Sequence, residues 1–214
     1  YFVNNSVQIS GGNDRSLFFL SLGRLDHEGI IENSFFDKTN LTFNTKTQLT
    51  DWLTVKAKAN FINSQANKIN QSSNVAGLYI GLLRTPPDFF NRDYRGTYID
   101  ASGLAFPGRH RAYRDALGAS GSPAYNNPLW TVNEQRVLSN VNRLIASSEI
   151  NITPIERLVF TLRGGVDHYG DLREYFFPIG TANADYNRGR FDEDNILRTE
   201  ANFDAIGRAN LDIA

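Results

Sequence analysis

The sequence predicts an all-β fold: an antiparallel, up-and-down transmembrane β-barrel segment of about seven strands, an incomplete barrel with long extracellular loops. Three observations lead there. Period-two alternation recurs along the 214 residues and is clearest on either side of Thr50-Asp51-Trp52. The links between alternating runs are short and long by turns. The best runs exceed the five or six residues usual for globular strands and reach the roughly 9 to 11 that a tilted membrane strand needs.

Taken in order, Val7 and Ile9 alternate with Ser6, Gln8 and Ser10, and Gly11-Gly12-Asn13-Asp14 supplies the backbone freedom for a tight reversal. A second strand is expected from Ser16 to about Leu25, followed by a medium loop from Asp26 to Phe36. Asn40 to Leu49 and Leu53 to Phe61 form a hairpin. Leu53, Val55, Ala57, Ala59 and Phe61 share one of its faces, and Thr54, Lys56, Lys58 and Asn60 share the other. Past Phe61 the alternation dissolves, and residues 65–136 are expected to be one long extracellular loop. A stretch of that length should hold structure of its own. Val75, Leu78, Tyr79 and Leu82 predict a short helix, started by Ser72, Ser73 or Asn74 and stopped by Pro86-Pro87. Alternation returns from Val137 to Ile152, interrupted at Ile145, and again from Arg157 to Tyr169. Residues 170–195 are expected to be a second long extracellular loop, before a last run from Leu197 to Ile213.

In an up-and-down sheet, odd-numbered links gather on one rim and even-numbered links on the other. The expected pattern leaves one rim tight and one heavily built, as in outer-membrane barrels. The two strand faces then acquire different solvents. Lys56, Lys58, Arg163, Arg198, Glu200 and Asp204 would project into a hydrated lumen, and Phe43, Phe61, Leu162 and Phe203 would meet lipid. Trp52, beside a short turn, stands where an interfacial aromatic belongs. Residues 1–214 thus read as part of one transmembrane barrel domain.

Composition narrows the function classes. Twenty-two Lys and Arg against 23 Asp and Glu give a formal net charge of −1, so there is no net basic field for nucleic acid, although Arg109, His110, Arg111 and Arg114 form a local cluster. With no cysteine, disulfides, thiolate zinc sites and cysteine nucleophiles are excluded. With no methionine either, the sequence reads as a processed chain or an excised piece. No apolar run is long enough for a transmembrane helix.

Several short motifs resemble SusC/RagA-type TonB-linked outer-membrane proteins. They are Ile9-Ser10-Gly11-Gly12-Asn13-Asp14, Phe19-Leu20-Ser21-Leu22-Gly23 and Asp26-His27-Glu28-Gly29-Ile30-Ile31, then Thr50-Asp51-Trp52-Leu53, Arg84-Thr85-Pro86-Pro87 and Tyr125-Asn126-Asn127-Pro128. Arg24 stands where that family often has an aromatic. The resemblance implies a plugged barrel in the outer membrane of a Gram-negative cell that imports oligosaccharides or peptides. It also implies a SusD-like surface lipoprotein as lid and energy from a TonB complex contacted through parts outside these residues. Outer-membrane lipid would surround the wall.

The residues singled out for substrate or partner binding are Arg84, Tyr98, Arg109, Tyr125 and Trp130 of the long loop. Tyrosine, tryptophan and arginine suit stacking on sugar rings, hydrogen bonding to hydroxyls or burial against a protein. The alternative is that these aromatics pack the loop on itself. No catalytic, metal or cofactor residues are assigned. His27, His110 and His168 have no partner at metal or triad spacing. The acidic run Asp192-Glu193-Asp194 lacks the full ligand order of a calcium loop, and Asp88, Asp93, Asp100 and Asp115 do not define a carboxylate pair. The expected role is non-enzymatic transport. The rival is a soluble all-β carbohydrate-binding module, whose apolar faces would form a protein core.

Overall fold

The computed structural model describes residues 1–71, 73–116 and 123–210. Seven strands form a single antiparallel meander: β1 (Phe2–Gly12), β2 (Ser16–Glu28), β3 (Phe35–Thr50), β4 (Leu53–Asn67), β7 (Arg136–Ile155), β8 (Leu158–Phe177) and β9 (Arg190–Ala209). The long connection between β4 and β7 contains helix α1 (Leu78–Arg84), the hairpin of β5 (Arg95–Ile99) and β6 (Ala105–His110), and helix α2 (Pro128–Glu134). Sequence periodicity found α1 but neither the hairpin nor α2.

The register carries two distinct faces across the whole sheet. Ile9, Leu20, Phe43, Ala59, Ala146, Val166 and Ala201 lie in one crosswise row, next to a row of Val7, Leu22, Leu41, Phe61, Leu144, His168 and Thr199. On the opposite face Lys46, Lys56, Glu149, Arg163 and Asp204 form a charged row. A one-residue slip would exchange the faces. The register shifts of β3 and β7, at Gln48/Thr50 and Ile152/Ile155, fall at the tight-turn rim, so the faces above them keep their alternation.

Among the described residues no second layer covers the apolar face. Val7 is 66% exposed, Phe43 40%, Phe61 41% and Phe203 71%. Burial instead concentrates at the other end of the strands, where Ile69, Leu78 and Val132 form a small cluster with Ile31 packed against it. A contiguous apolar surface of this extent needs an apolar neighbour.

The links sort as the alternation requires. Arg15, between β1 and β2, lies 3.6 Å from Asp51 in the β3–β4 turn, and Thr153 of β7 donates to the Trp52 carbonyl at 2.7 Å. These links make one rim. On the other, Asn67 Nδ2 donates to the Asn33 carbonyl and Asn33 Nδ2 to that of Val132, which ties the second link to the fourth. At the first reversal the Asn13 side chain accepts from the amides of Arg15 and Ser16, and Gly12 has a φ of +156°. A Cβ on Gly12 would stand 2.1 Å from the Ser16 carbonyl oxygen, so only glycine fits there.

Strands run further than the alternation indicates. Asp26 to Glu28, Phe35, Phe36, Ile62 to Asn67, Gly170 to Phe177 and Arg190 to Asn195 all pair in the sheet. The connections are correspondingly shorter: residues 29–34 in place of 26–36, 68–135 in place of 65–136, and 178–189 in place of 170–195. The reason is physical. Period-two patterning records two different solvents, and beyond the apolar rows polar residues such as Arg24, Asn63 and Asn142 enter the apolar face while Phe36, Tyr175 and Phe177 enter the other, so the pattern blurs although backbone pairing continues. Asn63 there donates to Asn142 at 2.8 Å and to Asn140 at 3.3 Å, while Arg24 sits beside Asp26 at 2.5 Å and Asp37 at 3.2 Å. The expected start of α1 is also corrected. Gly77 is its N-cap with no side-chain bond, and Ser73 Oγ accepts from Ala76 in the preceding turn. Ser72, Leu211, Asp212 and Ile213 lie outside the described residues.

Candidate functional site

The built rim holds the chemistry, and a pair of asparagines assembles it. Asn127 caps α2 by accepting from Leu129 N at 2.9 Å, with Pro128 at the first helical position. Its Nδ2 donates to the carbonyls of Asn91 and Arg111, both at 3.1 Å. Asn126 donates to the Ala76 carbonyl and to Thr131 Oγ1, and accepts from Ala182 N at 2.7 Å. Two buried amides thereby join the turn before α1, the β5–β6 hairpin, α2 and the β8–β9 link. Gly81 of α1 packs so closely that a Cβ would lie 2.6 Å from the Asn126 carbonyl oxygen.

His110 completes the joint. Its Nε2 accepts from Asn127 N at 2.9 Å, which leaves Nδ1 to donate to the Gly180 carbonyl at 2.9 Å, and its ring stacks on Trp130 at 4.4 Å. Burial lowers its pKa from 6.5 to about 4, against the raising effect of the Gly180 carbonyl, so the ring is neutral at pH 7. Two members of the cluster Arg109, His110, Arg111 and Arg114 are engaged within the loop. His110 is inside, and Arg111 donates to the carbonyls of Ala116 and Asp93.

The five binding candidates divide by environment. Trp130 and Tyr125 are each 3% exposed. Trp130 Nε1 donates to Thr181 Oγ1 and Tyr125 Oη to the Arg84 carbonyl, so both side chains build the loop from within. Arg84 is exposed at the end of α1, with its guanidinium 5.9 Å from the Tyr125 ring centre. Tyr98 and Arg109 are half-buried on the hairpin, Tyr98 stacked on Phe106. Sequence reasoning missed Asn126, Asn127 and His110. The Asn-Asn-Pro run was the available signal, since Asn before Pro is a helix-start signature.

A cavity of about 1100 Å³ opens on the charged face where the base of the long connection meets the ends of β7 to β9. Tyr175 and Phe177 of β8 and Tyr186 of the last link supply aromatic surface, with Phe177 and Tyr186 stacked at 4.2 Å. Arg190 lies over Tyr186 and pairs with Asp192 at 2.6 Å, and Asp194 stands beside them. Flat rings beside paired charges suit a ligand with both apolar and polar groups. Among the described residues no cluster of three or more His, Asp or Glu is placed to hold a metal ion.

An amphipathic meander with uncovered apolar rows, one tight rim and one built rim is a section of barrel wall. The solved structures say which barrels it matches. The RagAB peptide importer in its closed-closed state superposes with a TM-score of 0.70 at 16% identity, over 99% of this chain and 22% of that one. The open-open state gives 0.67 at 17% identity, over 95% and 21%, and a further RagAB peptide transporter structure gives 0.70 at 16%, over 100% and 22%. The chain thus has the fold of a portion of a SusC/RagA-type barrel and spans about a fifth of the length of the chains it matches. No family model and no curated protein matches the sequence.

Proposed function

We propose that this chain is part of the wall of a SusC-like, TonB-dependent transporter of the outer membrane, a non-enzymatic importer of peptides or oligosaccharides. The observation that carries the reading is the uncovered apolar face. From Leu53 to Phe61 its rows follow about 30 Å of strand at roughly 3.3 Å per residue, which at a 45° tilt rises about 21 Å, near the 25 Å of a barrel's lipid-facing band. The soluble carbohydrate-binding alternative requires those rows to be packed in a protein core, and among the described residues none covers them. Among the described residues no helix is long and apolar enough to cross a membrane.

In this reading residues 68–135 and 178–189 face the exterior, and the cavity at Tyr175, Phe177 and Tyr186 contacts substrate entering the lumen. The exposed parts of Arg84, Tyr98 and Arg109 meet substrate or a SusD-like lipoprotein lid, held in place by Tyr125 and Trp130. Contact with TonB falls to parts of the protein beyond residues 1–214. The likeness to the RagAB peptide importer supports transport, and the mixed aromatic and charged cavity accommodates peptides as readily as sugars.

Single-cysteine labelling in a background freed of any other cysteine tests this, and residues 1–214 contribute none. In the full-length protein in outer membranes, cysteines at Phe43, Phe61, Leu162 and Phe203 should resist a water-soluble maleimide and respond to lipid-borne quenchers. Cysteines at Thr42, Asn60 and Arg163 should behave oppositely. Equal labelling of both sets would overturn the membrane assignment.

A further inference from the structure

The outward face changes character directly above its apolar rows. The uppermost of those rows holds Leu22, Leu41, Phe61 and Leu144, and the next one along the strands holds Asn5, Arg24, Thr39, Asn63 and Asn142. Beyond it come Asp26, Asp37, Gln65 and Asn140. On β2 and β3 the charges are satisfied internally: Arg24 holds Asp26 at 2.5 Å and Asp37 at 3.2 Å, and donates to Thr39 Oγ1 at 3.1 Å. On β4 and β7 the four neighbours Asn63, Gln65, Asn140 and Asn142 are all neutral amides. Asn63 Nδ2 is spent on Asn142 and Asn140. The Nδ2 groups of Asn140 and Asn142, Asn63 Oδ1 and the side-chain amide of Gln65 make no hydrogen bond among the described residues, and Gln65 and Asn142 are exposed.

We infer that Asn63, Gln65, Asn140 and Asn142 form a docking surface on the outside of the wall for the sugar headgroup of a glycolipid in the outer leaflet. The inference rests on the barrel-wall reading above. A sugar hydroxyl is at once donor and acceptor, and this patch offers unused donors beside unused acceptors. Its charge disfavours a phosphate. Arg24, the cation of the adjoining row, is already shared by two carboxylates, so an approaching anion meets net negative charge there. Asn63 follows Phe61 on the same face by about 7 Å of strand, so the amides stand where hydrocarbon gives way to headgroups. Beneath them Ala57, Ala59, Ala146 and Gly164, beside Phe43, border a groove of about 510 Å³ on the apolar face, which seats an acyl chain of the same lipid. The cavity at Tyr175 opens on the other face of the sheet, so the two surfaces are separate.

The test is photo-crosslinking of the full-length protein in phosphatidylcholine nanodiscs that contain rough lipopolysaccharide, which carries lipid A and core sugars. A benzophenone side chain placed at Gln65 should form an adduct with the lipopolysaccharide. Asn63→Ala with Asn142→Ala should lower its yield at subsaturating lipopolysaccharide about tenfold, the loss expected from one or two hydrogen bonds, while the barrel keeps its heat-modifiable gel migration. Ser64→Ala, on the opposite face, should leave the yield unchanged. Lipopolysaccharide stripped of its phosphates should crosslink as well as the intact form. With normal migration, the glycolipid proposal fails and the wall reading stands if no adduct forms, if the asparagine variants give as much as the parent, if removing phosphate abolishes it, or if the adduct joins a second copy of the protein instead. Loss of heat-modifiable migration in the unsubstituted protein would remove both.

Discussion

At residue scale, His110 shows how a side chain with no sequence partner can organise a loop. No residue at metal or triad spacing marks it, and its partners, Gly180, Asn127 and Trp130, are distant in the chain. Its neutral ring is held by one donor and one acceptor, so protonation would set an N–H against the Asn127 amide. The pKa is lowered from 6.5 in the unfolded chain to about 4, so the unfolded loop binds the extra proton first as pH falls. The stabilisation is complete above pH 6.5 and declines between 6.5 and 4, by on the order of 3 kcal/mol at 1.36 kcal/mol per unit. Trp130 fluorescence during denaturant unfolding of the loop should show that loss on acidification. His110→Asn should flatten the pH dependence. Gly81 makes a second case. Alanine usually stabilises a helix relative to glycine, but here Gly81→Ala pushes a methyl against the Asn126 carbonyl and should cost about 1 to 3 kcal/mol, seen as faster proteolysis of residues 68–135 with the strands intact.

The strands owe their length to two separate causes, and only one leaves a pattern. In the apolar rows apolar and polar residues alternate, and on the proposed barrel-wall reading, with lipid on the apolar face, Phe43→Arg should cost about 2 to 4 kcal/mol if that side chain sits near the bilayer midplane. Thr42→Arg, one residue along and facing the lumen, should be far milder. Refolding titrations of the two variants into lipid vesicles compare them directly, and equal costs would mean the faces are misassigned. Above those rows the strands persist through backbone pairing and polar ladders such as Asn63 with Asn140 and Asn142. β7, β8 and β9 each run to 20 residues, about 66 Å at roughly 3.3 Å per residue. That exceeds the path of about 42 Å needed to cross a 30 Å hydrocarbon core at 45°, so on the proposed barrel-wall reading their upper parts would stand outside the membrane and carry the loops.

For the whole molecule, the two rims divide the labour. The tight rim closes the sheet with minimal chain, and the built rim interlocks two links, 68–135 and 178–189, through Asn126, Asn127, His110 and Trp130 into one small folded unit. If the chain is part of a transporter wall as proposed, replacing residues 68–135 of the full-length protein with a short hairpin should abolish substrate uptake while heat-modifiable migration is retained. Loss of migration would mean that this unit is needed to fold the wall.

The sequence by itself determined the class of fold, the two faces and the sorting of links, because alternation and turn residues are local and the environments they answer to differ sharply. Thr50-Asp51-Trp52, with its flanking runs, was legible in that way. Tertiary structure decided where strands end, that Tyr125 and Trp130 lie inside the loop, and that Asn126, Asn127 and His110 join it. Those facts depend on backbone groups tens of residues apart, such as Ala76, Arg111, Gly180 and Ala182, whose partners leave no periodic trace in the chain. Lys46 and Lys56 belong to both levels: each is a wet-face residue by alternation, but only the register sets one across from the other and gives Lys56 the partner Glu149, which it shares with Arg163.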